Sequence, residues 1–430
     1  MERYRVLVVD DSAFMRKIIT DLIERDPQFT VVGTAENGID AVSTVEDTKP
    51  DVITLDLEMP KMNGIDALQH ILKKHKVPVI MLSGISEANT QDTIKALQFG
   101  AFDFIRKPTG VGSNTQDIHA VGDMLLDKLR IAVLTRRKLY EPKPISPSMT
   151  PSNKILDNYE KNAPRIPKND KIKSNKLSKT TDKSKLVNKF DLEATATSKV
   201  EMKKVQPPPV KKGSVQETAL SERAVPPMNE ATRARASGTV TSLVAIGTST
   251  GGPRALHEVL CSLPSDFAAP IVIVQHMPPR FTKSLAQRLD SLSQLQVYEA
   301  EDGMKLENGK AYVAPGGQHM TVKRQQGQYI VKLNSEPPRN GHRPSVDVLF
   351  ESLLEVQELE RHIVLMTGMG SDGAQGMKKL AEQGVASTIA EAEESCIVYG
   401  MPRSAVELGA ASKVLPLTQI APELLRLLTH

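Results

Sequence analysis

Gly247-Thr248-Ser249-Thr250-Gly251 follows the apolar run SLVAI and satisfies GxSxG, the pattern of a nucleophile elbow. Small residues around the serine permit a tight strand-to-helix turn, which exposes its hydroxyl beside backbone N–H groups able to stabilise an oxyanion. The pattern is short, and a structural glycine-rich turn fits it as well. A serine nucleophile needs a base and an acid to orient that base. His276 follows the strand-like PIVIVQ and falls at the same edge of a parallel sheet as Ser249; Asp372, after HIVLMT, falls there too. Spacing alone leaves His319 and His342 open as other bases. The chain order Ser, His, Asp is not that of α/β-hydrolases, where the acid precedes the histidine, so the elbow is a convergent one.

A competing chemistry is written over the same acid. Residues 368–373, Gly-Met-Gly-Ser-Asp-Gly, lie between an apolar run and the helical AQGMKKLAEQG. With Glu391 and Glu393 about 20 residues on, they match a dinucleotide-binding fingerprint. Asp372 argues against it, because its carboxylate stands where a pyrophosphate must meet helix N–H groups. Too little chain follows for two mononucleotide-binding halves. A Rossmann-like nucleotide-binding domain in the C-terminal half is the alternative reading.

A second constellation lies near the N-terminus. Asp10 and Asp11 end the first strand-like run, Asp56 the third; Ser83 follows the fourth and Lys107 the fifth. Three carboxylates at one spot repel one another unless a hard cation joins them, and an all-oxygen set suits magnesium. A lysine opposite them can neutralise an added phosphoryl group, and Ser83 can bond its oxygens.

The elements that must position these groups are legible. Over residues 1–138, RVLVVD, FTVVGTA, DVITLD, VPVIML and FDFIRK alternate with amphipathic helical stretches, which predicts a parallel sheet covered on both faces. Over 239–430, TSLVAIG, PIVIVQH, AYVAP, HIVLMTG and VASTIA alternate in the same way. Two α/β domains are expected, the second doubly wound and mainly parallel. Residues 141–238 carry 20 basic and 11 acidic side chains, a net +9, which leaves 35 against 40, or −5, for the rest. With PPP and PP runs and only Tyr159 and Phe190 as aromatics, this stretch reads as a flexible basic linker, 139–238.

Composition excludes several classes. Cys261 and Cys396 are the only cysteines and form no CxxC, so neither a disulfide framework nor a zinc site is indicated; Cys396, amid apolar residues, reads as a small hydrophobe. The start MERYRVLVVDDS goes straight into a strand, and no apolar run approaches the roughly 18 residues of a membrane span. A cytoplasmic protein without membrane insertion is expected. A nucleic-acid-binding output would suit the basic linker, but no recognition helix follows it and the output half is acidic.

The N-terminal motifs VLVVDDS, ITLDLEMPKMNGID, MLS and FIRKP resemble the response-regulator receiver domain. That resemblance implies a flavodoxin-like fold for the first domain, that Asp56 accepts a phosphoryl group from a histidine kinase and that Asp10, Asp11 and Asp56 hold magnesium. Ser83, Lys107 and the aromatic Phe104 would carry the switch. IGTSTGGP, VQHMP, APGGQHM, NGHRPSVDVLF, LMTGMGSDGAQGM and YGMPRSAVELG resemble the catalytic domain of the chemotaxis protein-glutamate methylesterases, the CheB family. This second resemblance implies Ser249 as nucleophile, His276 as base and Asp372 as acid, with Thr250 and the Met369 N–H supporting the oxyanion. It further implies methyl-accepting chemoreceptors as substrate, a chemotaxis histidine kinase as phosphodonor, glutamine deamidation as a second reaction, and no cofactor for the esterase step. Thr248, where the family often has alanine, and Ser371 are small departures from its pattern.

Overall fold

The computed structural model of the protein describes residues 3–107, 115–140 and 239–428. Apart from its first two residues, the expected linker 139–238 lies outside them. In the N-terminal half, β1 (Tyr4–Val9), α1 (Ala13–Glu24), β2 (Phe29–Ala35), α2 (Gly38–Thr48) and β3 (Val52–Asp56) are followed by α3 (Gly64–Lys74), β4 (Val79–Ser83), α4 (Glu87–Gln98), β5 (Asp103–Arg106) and α5 (Thr115–Tyr140). The strands pair in the order β2-β1-β3-β4-β5, all parallel, the flavodoxin-like order. Every residue of β3 and β4 is buried, as continuous apolar runs covered on both faces require. Ser12, Asn37, Asn63 and Ser86 start α1 to α4, each side chain accepting from the N–H three residues on.

The C-terminal half contains β6 (Ser242–Thr248), α6 (Gly252–Cys261), β7 (Ile271–Gln275), α7 (Phe281–Leu292), β8 (Gln296–Glu299), β9 (Lys310–Val313), β10 (His319–Gln325) and β11 (Gln328–Asn334). There follow α8 (Val346–Ser352), β12 (Glu360–Leu365), α9 (Ala374–Glu382), β13 (Ser387–Glu391), α10 (Met401–Glu407), β14 (Lys413–Leu415) and α11 (Leu417–Leu428). Seven strands form one parallel sheet in the order β14-β13-β12-β6-β7-β9-β8. The direction of winding reverses at β6, where open α/β sheets leave a crevice at the carboxyl ends of their strands.

Sequence patterning locates β6, β7, β9, β12 and β13. It misses the short edge strands β8 and β14 and the antiparallel pair β10-β11. That hairpin turns through Gln326 and Gly327, both at positive φ, without the Asn-Gly or Asp-Gly signature that usually announces such a turn.

Both sheets belong to one compact unit. Leu97, Ala101 and Phe104 share a buried cluster with Leu256, Phe281 and Leu285. Phe104 stacks on Phe281 at 4.6 Å between ring centroids, tilted 26°. Polar pairs flank the stack: Thr90 with Ser284 at 2.7 Å, Arg288 Nε donating to Gln98 Oε1 at 2.9 Å, and Arg280 to the Ile85 carbonyl at 3.3 Å. Among the described residues, no helix is long and apolar enough to cross a membrane.

Candidate active site

β12, β6 and β7 are neighbours, so the residues that follow them meet at one edge. Thr248 and Gln275 are register partners, and the His276 N–H donates to the Thr248 carbonyl at 3.1 Å. Ser249 and His276 therefore leave the sheet side by side. The turn after β6 is tight: the Ser249 N–H donates to the Thr367 carbonyl at 3.0 Å, and its own carbonyl accepts from the Gly252 N–H at 2.8 Å. Gly251 holds φ 82, and a Cβ there would lie 2.6 Å from that of Ile397, which excludes any side chain.

The ring of His276 is fixed from two directions. Its Nε2 lies 2.8 Å from Asp372 Oδ2, and Nδ1 is buried without a partner. A proton on Nε2, donated to the carboxylate, leaves Nδ1 as the basic nitrogen. His342 stacks on the same ring, 3.8 Å between centroids and 10° from parallel.

Asp372 is anchored more densely than a triad acid requires. Besides His276, it accepts from Asn340 Nδ2 at 3.1 Å, the Ser345 hydroxyl at 2.8 Å, and the Val346 and Asp347 N–H groups at 2.7 and 3.1 Å. The last two open α8, so the carboxylate sits at a helix N-terminus. Burial works against its ionisation. The bond and charge of His276, then the Val346 N–H and the Ser345 hydroxyl, outweigh burial and hold its pKa well below the usual carboxylate range. Within GMGSDG the acid is thus spent on His276 and on the N–H groups that open α8. Glu391, fully buried, accepts from the Thr367 N–H and the Ser395 hydroxyl, a structural post and not a ribose acceptor.

Of the other histidines, His319 accepts the Ser345 N–H at Nδ1, and its Nε2 lies 3.1 Å from the Pro337 carbonyl, so both ring nitrogens are spent on backbone. His342 has its pKa pushed down to about 4, by burial first and then by His276, with Asp372 pulling the other way and Lys128 adding to the fall. The unfolded chain takes up this proton near the ordinary 6.5 and the folded chain only near 4, so folding loses stability as pH falls between those values. His342→Gln removes that titration. Its stability relative to wild type should rise as pH drops from 7.5 to 5, checked by urea unfolding at both; parallel curves would refute it.

Cys261 is pushed up to about 11 by burial, and Cys396 is raised further by burial and by Glu391, so neither competes as a nucleophile.

Thr250 and Met369 flank the elbow differently. Met369 is 38% exposed, whereas the Thr250 hydroxyl is buried and donates to Asp103 Oδ2 at 2.6 Å. Asp103 begins β5 and is paired with Lys128. Nothing in the sequence marked it, because a contact across 147 residues leaves no local signal.

On the N-terminal sheet, ligand atoms of Asp10, Asp11 and Asp56 lie within 4.8 Å of one another, with Asp11 exposed. The donor set is all carboxylate oxygen and one ligand is open to solvent, which fits a hard divalent cation. Lys107 Nζ lies 2.7 Å from both Asp10 and Asp56. Burial pushes Asp56 up to about 6, opposed by Lys107 and reinforced by Asp10. Lys107 has its own pKa raised by the same two carboxylates against its burial, which keeps it charged. The Ser83 hydroxyl lies 2.6 Å from that of Thr93 on α4 and donates to the Gly84 carbonyl.

Comparison with known proteins matches both halves of the chain to families. Residues 244–424 match the family model described as CheB methylesterase, and residues 6–119 match that of the response regulator receiver domain. A Geobacillus kaustophilus protein named protein-glutamate methylesterase/protein-glutamine glutaminase is 41% identical over 429 residues, covering 100% of this chain and 99% of that one. The chain belongs to this methylesterase/glutaminase family. A Bacillus subtilis member of the same name is 39% identical over 418 residues, 97% of this chain and 96% of its own. The solved catalytic domain of Thermotoga maritima CheB methylesterase is 46% identical, covers 43% of this chain and 98% of that chain, and gives a TM-score of 0.42.

Proposed function

We propose that the protein is a phosphorylation-activated protein-glutamate methylesterase and protein-glutamine glutaminase acting on methyl-accepting chemoreceptors, with Ser249, His276 and Asp372 as its triad. The observation that carries this reading is the orientation of His276: Nε2 is committed to Asp372 while Nδ1 is left without a partner, and the His276 N–H is bonded to the Thr248 carbonyl next to the elbow. Nδ1 takes the Ser249 proton as the oxygen attacks the γ-carbonyl of a methylated glutamate. The tetrahedral oxyanion forms against the turn, where Thr250 and the Met369 N–H would support it. Collapse expels methoxide, which leaves as methanol with the proton from Nδ1. Water, deprotonated by the same nitrogen, then hydrolyses the acyl-serine to glutamate and free Ser249. A glutamine side chain follows the same course with ammonia leaving.

Asp10, Asp11 and Asp56 would hold magnesium, which supplies charge neutralisation when Asp56 receives a phosphoryl group from a chemotaxis histidine kinase. The closed arrangement explains why a switch is needed. Ser249 is 9% and Thr250 7% exposed, too little to admit a receptor side chain. β5 carries both ends of the lever: Lys107, just past it, holds Asp10 and Asp56, while Asp103 and Phe104 hold Thr250 and Phe281. Phosphorylation at Asp56 redirects Lys107 and, through Ser83 and its Thr93 contact, α4 as well.

The deciding experiment measures methanol release from methylated receptor membranes with and without a small-molecule phosphodonor and magnesium. Release should rise at least about tenfold with phosphodonor, the ratio expected when a closed state favoured by a few kcal/mol is relieved, and Asp56→Asn should abolish the rise. Absence of methanol under both conditions would reject the assignment. Asp103→Ala should raise unstimulated release by about tenfold, because a buried hydrogen bond to a charged acceptor is worth roughly 1.5–3 kcal/mol. The stimulated rate should stay near wild type; an unchanged unstimulated rate would show that Asp103 does not hold the closed form.

A further inference from the structure

Gln275 is 2% exposed, and its one amide touches both halves of the catalytic pair. Nε2 donates to the Ser249 carbonyl at 2.9 Å and to the His276 carbonyl at 3.2 Å. Oε1 accepts from the Thr248 hydroxyl at 2.7 Å. The orientation of the amide is dictated by chemistry: turned over, its oxygen would face two carbonyl oxygens. Thr248 is therefore the donor that completes the set, and as register partner of Gln275 it is held next to it by the sheet. The fold also reserves the space. A Cβ at Gly252 would stand 1.9 Å from Gln275 Oε1 and 2.8 Å from Thr248 Cβ, so the first residue of α6 must be glycine for the amide to lie there.

We propose that Thr248 and Gln275 form a clasp that fixes the spacing between Ser249 and His276, with both as positioning residues for the esterase reaction. This rests on the triad reading above. Without the Thr248 hydroxyl, Oε1 is a buried acceptor lacking its donor, and the amide is drawn off the two carbonyls to find another. The elbow and the histidine backbone are then joined only by the sheet pairing and the His276 N–H bond to the Thr248 carbonyl, and the proton transfer from Ser249 to His276 loses its geometry while the receptor-binding surface is untouched.

The test uses the full chain, magnesium and saturating phosphodonor, with methanol release from methylated receptor membranes as the readout. Thr248→Val keeps the volume and removes the hydroxyl; Thr248→Ser keeps the hydroxyl and removes the methyl. The valine variant should lose about tenfold in kcat with KM within about twofold, the signature of lost transition-state geometry, and the serine variant should retain wild-type kcat. Melting temperatures of both are recorded, because activity that follows the hydroxyl and not the melting temperature separates positioning from loss of structure. Valine at wild-type kcat, or valine and serine losing kcat equally, overturns the clasp. Ser249→Ala, run beside them, must lose at least about 10⁴-fold; turnover within tenfold of wild type there overturns the triad reading on which the clasp rests.

Discussion

Replacing Ser249 by alanine should lower methanol release by at least about 10⁴-fold, leaving only what the oxyanion environment and substrate binding contribute without a nucleophile. The fold should hardly notice. The turn that carries Ser249 is held by main-chain groups, its N–H on the Thr367 carbonyl and its carbonyl under the Gly252 N–H and the Gln275 amide, none of which uses the serine hydroxyl. Oγ is also small, so its removal leaves no cavity of consequence. Methanol release and thermal unfolding are measured on the same preparation. Activity within tenfold of wild type would remove Ser249 from the mechanism. Inactivity with a melting temperature lowered by many degrees would make the loss a folding defect instead.

What the sequence made legible, and what it hid, follows from the range of each interaction. Ser249, His276 and Asp372 could be placed at one sheet edge because each ends an apolar run, and parallel strands bring such ends together. Asp10, Asp11, Asp56, Ser83 and Lys107 were legible for the same reason, and the structure brings the three acids and the lysine into contact. Spacing alone left His319 and His342 open beside His276, and only the family resemblance singled out His276. His319 spends both nitrogens on backbone and His342 lies flat against His276. The supports of Asp372, Asn340 and Ser345, were missed: they act through a loop and a helix start that carry no catalytic pattern. Ser345 bears the signal of an N-cap, and an N-cap hydroxyl next to a triad acid could have been read as a candidate anchor. Asp103 and Phe281 were beyond reach, since the surface joining two domains is not periodic in either.

Asp372→Asn should be nearly as damaging to catalysis as loss of the nucleophile, and it should also cost stability. The carboxylate accepts from His276, Asn340, Ser345 and the Val346 and Asp347 N–H groups, so both oxygens are surrounded by donors. An amide brings its own two N–H bonds into that shell. If its nitrogen faces His276, the imidazole must present Nε2 as acceptor, and the proton moves to Nδ1, where the base is needed. The expected fall in kcat is about 10⁴-fold, the cost of the wrong tautomer. If the nitrogen instead takes the Oδ1 position, it meets Asn340 Nδ2, the Ser345 hydroxyl and the Asp347 N–H and leaves these donors without their acceptor. Either orientation should destabilise the fold by about 3 kcal/mol.

The pH dependence separates this account from a simple packing defect. Asp372 is held below its ordinary 3.8, so its contribution is fully present above that value and is lost as pH falls toward the folded pKa. The stability gap between wild type and Asp372→Asn should therefore be constant from pH 7 to 5 and narrow by about 1 kcal/mol by pH 3. Urea unfolding at these three values reads it directly. A gap that stays the same at pH 3 would mean that neither His276 nor the N–H groups opening α8 favour the charged carboxylate.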